Sequence, residues 1–189
     1  MSAIQVIPYV HAWNERFEEE RLRLSELLGD LLDEIHHVGS TSVHGLSAKP
    51  KIDIDAVLRP EAVIAEAVGR VKAFPEFTFH GDPYGDGMWT FTSGRGSWGT
   101  RLYLCAPGNA THIKRILFRD WLRTHPADAE TYADLKSRLA KDANGDWKLY
   151  TGGKSEFVAR IVEQAAARAA DEGFQIDECS SAEPVIVSQ

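Results

Sequence analysis

Residues 36–58, HHVGSTSVHGLSAKPKIDIDAVL, decide how this chain is read. The segment 35–38 predicts a brief strand that runs into a turn at Gly39-Ser40-Thr41 and then the start of a short helix. Unpaired N–H groups at a helix start attract anions, and glycine lets a phosphate approach the backbone closely. Ser40 adds a hydroxyl donor. Alternation in 51–58 predicts a second strand with Ile52 and Ile54 facing the core and Asp53 and Asp55 together on the opposite face. Two carboxylates about 6–7 Å apart on one strand face can share a hard divalent ion, Mg²⁺ or Mn²⁺, with substrate phosphates. Taken singly, each half reads as an ordinary turn or a solvated strand face. In this order, with only 13 residues from Ser40 to Asp53, they supply parts needed for nucleotidyl transfer.

Upstream, apolar residues Trp13, Phe17, Leu24, Leu27 and Leu28 predict one face of a helix over 13–28, with Glu15, Glu18, Glu19 and Glu20 on a solvated side. Downstream, Pro60 opens a helix to about residue 73. Strands are expected at 77–80, 88–92 and 100–105, with glycine-rich turns at 81–87 and 93–99. The GDPYGDG stretch matches neither a calcium-loop nor a phosphate-loop spacing and reads as a turn. Helices follow over about 109–123, 126–141 and 154–170, with a loop around Asn144-Gly145-Asp146. The expectation is one α/β (α+β) domain over 1–173, with a sheet core at about 30–107, a helical part at about 108–170, and an acidic tail at 174–189.

The 189 residues carry a formal charge of −7. That falls to −2 for residues 1–170 once the five acids Asp171, Glu172, Asp177, Glu178 and Glu183 are set aside. The body is nearly neutral, which speaks against a general affinity for nucleic acid. Cys105 and Cys179 make no disulfide framework, no apolar run is long enough to span a membrane, and MSAIQVIPYVHAW lacks the features of a signal peptide. A cytoplasmic protein is expected.

Lys49 stands before Pro50 at the mouth of the Asp-bearing strand, placed to meet a phosphate. His112, Arg115, Arg119 and Arg123 recur at helical spacing, either lining a phosphate tail or forming a solvated basic face. Trp89, Trp98 and Trp121 read as core residues or as the lining of a base or acceptor pocket. His36 and His37 adjoin the turn without the partners a zinc site needs.

His37-Val38-Gly39-Ser40-Thr41-Ser42-Val43, Gly45-Leu46, Lys49-Pro50 and Ile52-Asp53 resemble the signature of the GrpB family. The similarity continues through Trp13, Phe17, Phe118-Arg119-Asp120-Trp121-Leu122-Arg123, His125-Pro126, Tyr132, Leu135-Lys136, Tyr150, Lys154 and Phe157, covering roughly residues 9–165. The resemblance implies a nucleotidyltransferase-like mixed sheet flanked by helices, with a C-terminal helical portion. It also implies metal-dependent transfer of a nucleoside monophosphate from an NTP to an unknown small-molecule or protein acceptor. Asp53 and Asp55 would be catalytic and hold Mg²⁺ or Mn²⁺. Gly39, Ser40, Thr41, Lys49, Arg101, Lys136 and Lys154 would bind the nucleotide.

Two positions depart from the family pattern. His44 stands where proline is usual, and Arg101-Leu102-Tyr103 replaces a His-Leu-His. The resemblance places the chain in the polymerase-β-like nucleotidyltransferase superfamily, whose third carboxylate has no counterpart on this strand, and the nearest acids, Asp82 and Asp86, fall in predicted loops. This motivates an alternative: a catalytically reduced protein that binds a nucleotide or another phosphorylated ligand. An interaction module built on the acidic tail is a third class.

Overall fold

In the computed structural model, which describes residues 4–59, 64–94 and 98–171, strand parity organises the protein. Strand β2 (Ile52–Leu58) pairs antiparallel with β1 (Leu32–Val38) and parallel with β5 (Thr100–Cys105). Strands β3 (Phe77–Gly81) and β4 (Trp89–Ser93) complete a mixed five-stranded sheet in the order β1-β2-β5-β4-β3. Side chains alternate along each strand, so even-numbered Ile52, Ile54, Ala56, Leu58, Leu102 and Leu104 bury one face. Against it pack Trp13, Leu24 and Leu28 of α1 (Ala12–Leu28) and Ala67 and Val71 of α2 (Ile64–Lys72). The odd-numbered residues Asp53, Asp55, Arg101 and Tyr103 are left for the other face, beneath α3 (Ala110–Thr124).

Asn109 caps α3 by accepting from the N–H groups of Thr111 and His112. The chain then turns at His125 into α4 (Pro126–Asp142), the short α5 (Trp147–Gly152) and α6 (Ser155–Asp171). Val43, Leu46, Leu122 and Tyr132, with Phe118 and Phe157, form a second core joining these helices to the loop after β1.

Strand and helix expectations agree with this arrangement to within a few residues, with three differences. The short helix expected after Gly39 is only a single 3₁₀ turn, Ser40–Ser42. Helix α5 is absent from the sequence reading because six residues are too short to show periodicity. Glu20 is not on a solvated face: it is buried and paired with Arg16 and Arg23. The tail at 174–189, Cys179 and the start of the helix expected at Pro60 lie outside the described residues. Among the described residues, no helix is long and apolar enough to cross a membrane.

Candidate functional site

The turn after β1 is shaped by its neighbour on β2. Val38 is opposite Asp53 in the sheet register, and Gly39 follows with φ +73°. A Cβ at position 39 would sit 2.8 Å from Asp53 Oδ2, closer than real Cβ contacts allow. Glycine is therefore required twice, for the left-handed backbone and for the approach of Asp53. Ser42 Oγ donates to the Gly39 carbonyl at 2.6 Å and closes the turn. Ser40 lies beside the Tyr132 hydroxyl. Thr41 does not face the same space: its buried hydroxyl donates to the Lys51 carbonyl and accepts from His37 Nε2. The sequence assigned it to the ligand; the fold uses it to tie the turn to β2.

Cations from the helical half hold the backbone on both sides of the turn. Arg119 Nη1 donates to the carbonyl of His37, and Arg123 donates twice to that of Ser42, at 3.2 and 3.0 Å. Lys136 Nζ donates to the carbonyl of Ser47. The basic stripe of α3 is thus turned largely toward the sheet, where it engages backbone carbonyls and the carboxylate of Asp55, while Arg119 and the partly exposed Arg123 also pair with Asp120. Lys136, only 1% exposed, sits 4.7 Å from the Tyr132 ring centroid and acts on the loop that carries the site.

The two aspartates, equivalent by sequence, have different partners. Asp55 is fully buried; Arg115 Nη1 donates to its Oδ1 at 2.8 Å and His112 Nδ1 to its Oδ2 at 3.0 Å. The Arg115 guanidinium also stacks 3.7 Å from the Tyr103 ring centroid. Asp53 is half-buried, with Arg101 opposite it on β5 and Lys49, Lys51, Arg115 and Lys154 acting electrostatically on it or it on them. Burial pushes its carboxyl up, and Arg101, Arg115, Lys49 and Lys51 pull the other way without cancelling that.

The lysines share aromatic supports. Lys49 Nζ lies 4.6 Å from the Trp147 centroid and 5.3 Å from that of Tyr150, while Lys154 Nζ is 4.4 Å from Tyr150. Burial, followed by repulsion from Lys154, lowers Lys136 to about 7. Burial, then Lys49, lowers Lys154 to about 8. Burial likewise lowers Lys49 and Lys51. These shifts come first from burial, with repulsion from neighbouring cations adding to it.

A divalent cation fits this donor set poorly. Asp55 has both oxygens engaged by cationic or N–H donors, and its neighbour across β5 is Tyr103 rather than a carboxylate. Among the described residues no group of three or more His, Cys, Asp and Glu is placed to hold a metal. The shared Mg²⁺ or Mn²⁺ expected between Asp53 and Asp55 meets an Asp55 already paired with Arg115.

His36 and His37 belong to the framework. Burial, with His112 and Arg119, lowers His36 to about 4, and its Nε2–H donates to Glu34. His37, lowered by burial to about 3, stacks on Phe17. Trp89 and Trp98 pack on the main core and Trp121 on the second, so none of the three reaches the cationic cluster. Trp147, which the sequence alone does not single out, reaches it beside Tyr150.

Comparisons with known proteins agree with this fold. The sequence model described as GrpB protein matches residues 3–164. The chain is 36% identical over 175 residues to UPF0157 protein PA4798 of Pseudomonas aeruginosa, covering 87% of this chain and 68% of that protein. It is 33% identical over 162 residues to UPF0157 protein YqkA of Bacillus subtilis, covering 86% of this chain and 47% of YqkA. The chain therefore spans about half the length of that relative. Among solved structures, the conserved protein GrpB from Enterococcus faecalis matches with a TM-score of 0.80 and 27% identity, over 88% of this chain and 99% of that one. A chain of the GLD-2/RNP-8 complex matches with a TM-score of 0.62 at 10% identity, over 96% of this chain and 75% of that one, a likeness of fold alone.

Proposed function

The chain belongs to the GrpB family and has a nucleotidyltransferase-like fold, and from that premise we propose that it binds a nucleoside triphosphate by its phosphate tail. The tail would lie against Gly39-Ser40, between Lys49, Lys51, Arg101 and Lys154. The observation that carries this reading is the charge imbalance around Asp53. Those four cations surround a single carboxylate that makes no hydrogen bond with another described side chain, while Arg115 is already balanced by Asp55. Four charges against one leave three in excess, in a space where burial has already made the lysines reluctant to hold protons. A triphosphate supplies the missing negative charge and the acceptor oxygens.

Of the two functions compatible with the fold, binding of a phosphorylated ligand is favoured over metal-dependent transfer by the pairing of Asp55 with Arg115 and His112. Transfer of a nucleoside monophosphate to an unknown acceptor is the second reading. It is favoured by Asp53, whose carboxylate adjoins Gly39 at the proposed phosphate position.

Binding is tested by titrating ATP, GTP, CTP, UTP and inorganic tripolyphosphate into the protein and following heat and thermal midpoint. Micromolar binding, competed by tripolyphosphate and lost in Lys49→Met/Lys154→Met, is expected. Absence of binding by all five compounds would refute the reading. The transfer reading is tested separately by pyrophosphate release with Mg²⁺ or Mn²⁺ and candidate acceptors. Release abolished in Asp53→Asn would support it; silence indistinguishable from that variant would count against it.

A further inference from the structure

Arg115 stands where a metal-dependent site would need free carboxylate. Its Nη1 is 2.8 Å from Asp55 Oδ1, and its guanidinium carbon lies over the Tyr103 ring, 3.7 Å from the centroid. His112 from the same helix takes the other Asp55 oxygen at 3.0 Å. Arg115 also acts on Asp53, so one guanidinium serves both aspartates of the strand. Asp55 itself is inaccessible to solvent, and releasing it would strand a buried carboxylate. Any divalent ion reaching Asp53 would also meet Arg101, Lys49 and Lys51, all of its own sign.

We infer that this pocket takes its polyphosphate as the metal-free anion, with Arg115, locked on Asp55 and Tyr103, as the resident counter-cation between the two aspartates. This rests on the phosphate-binding reading above and specifies the form of the ligand. A free nucleoside triphosphate carries about four negative charges near neutral pH, since terminal phosphate groups titrate near pH 6. Chelation of Mg²⁺ removes two of these and occupies phosphate oxygens that the lysines and Arg101 would otherwise contact. Protein and Mg²⁺ therefore compete for the same oxygens. Arginine suits the role because it stays charged and keeps a planar fork on a carboxylate while stacking on a ring.

The test is calorimetric titration of ATP and of inorganic tripolyphosphate into the full chain, in excess EDTA and again in millimolar Mg²⁺. The expected result is binding in EDTA that becomes several-fold weaker in Mg²⁺; equal binding under the two conditions would overturn the inference, since most of the ligand is then the chelate. Binding that requires Mg²⁺, or is tightened by it, would overturn the inference while leaving a phosphate site intact. Absence of binding under both conditions would remove the phosphate reading itself and this inference with it. Arg115→Met, checked for folding by circular dichroism, is the second arm: with Asp55 Oδ1 freed and one cation removed, the weakening by Mg²⁺ should be relieved. Continued weakening by Mg²⁺ in the folded variant would deny Arg115 its role. The wild-type comparison decides the matter even where the variant does not fold.

Discussion

Replacing Gly39 with alanine probes the contact that couples the turn to Asp53. Two costs are separable. At φ +73° an L-residue is disfavoured by about 1–2 kcal/mol whatever surrounds it. The new Cβ would also lie 2.8 Å from Asp53 Oδ2 and 3.3 Å from Asp53 Cβ, forcing the carboxylate out of its rotamer at about 0.5–1.5 kcal/mol. Gly39→Ala should therefore cost about 2–3 kcal/mol in urea unfolding. Asp53→Ala removes the closer clash but not the backbone term, so in that background the same substitution should cost about 1–2 kcal/mol. The predicted coupling, about 1 kcal/mol, exceeds the ~0.5 kcal/mol within which independent sites add. Equal cost in both backgrounds would mean that the glycine answers only to its backbone. Triphosphate affinity should fall in Gly39→Ala as the displaced carboxylate enters the anion's space.

Lys136, lowered to about 7 against an unfolded 10.5, binds fewer protons in the folded state between those values, so stability should rise with pH there, by at most ~1.4 kcal/mol per pH unit. Urea midpoints at successive pH values should show this rise shallower in Lys136→Met; identical slopes would contradict the assignment. Lys154, lowered to about 8, should take up a proton when a polyanion binds near that pH. The binding enthalpy should then vary with the ionisation enthalpy of the buffer, and buffer independence would refute the crowding of cations. Arg123→Ala loses both bonds to the Ser42 carbonyl and should cost ~1 kcal/mol, its partial exposure limiting the loss, with weaker tripolyphosphate binding on titration. Unchanged stability and affinity would show the turn is held without it. Trp147→Ala removes the ring 4.6 Å from Lys49 and should weaken tripolyphosphate binding a few-fold, as the loss of ~0.5–1 kcal/mol implies; unchanged affinity would show that the ring does not position Lys49.

The local rules carried the sequence reading a long way. Alternation on 51–58 placed Ile52 and Ile54 in the core and both aspartates on the other face, as the sheet has them. Gly39-Ser40 reads as a turn from composition alone, and Lys49 and Lys154 both lie within electrostatic reach of Asp53. What stayed hidden depends on one element laid over another. The spacing of His112, Arg115, Arg119 and Arg123 shows that they share a helix face, but not that this face is turned to the sheet and consumes Asp55. Thr41 and Lys136 have the chemistry of ligand-binding groups, yet both are spent on backbone carbonyls of the segment around the site. Glu20 is buried because two arginines on its own helix accompany it, a pairing that a helical wheel cannot tell from a solvated acidic face.

The central claim is that the cations around Asp53 form a phosphate site beside Gly39-Ser40. A crystal structure of the protein with a non-hydrolysable ATP analogue, grown in EDTA, tests it most directly. The triphosphate is expected against Gly39 and Ser40, within hydrogen-bonding reach of Lys49, Arg101 and Lys154, with Arg115 still on Asp55. Phosphates bound elsewhere, or an analogue absent from the crystal at saturating concentration, would contradict it.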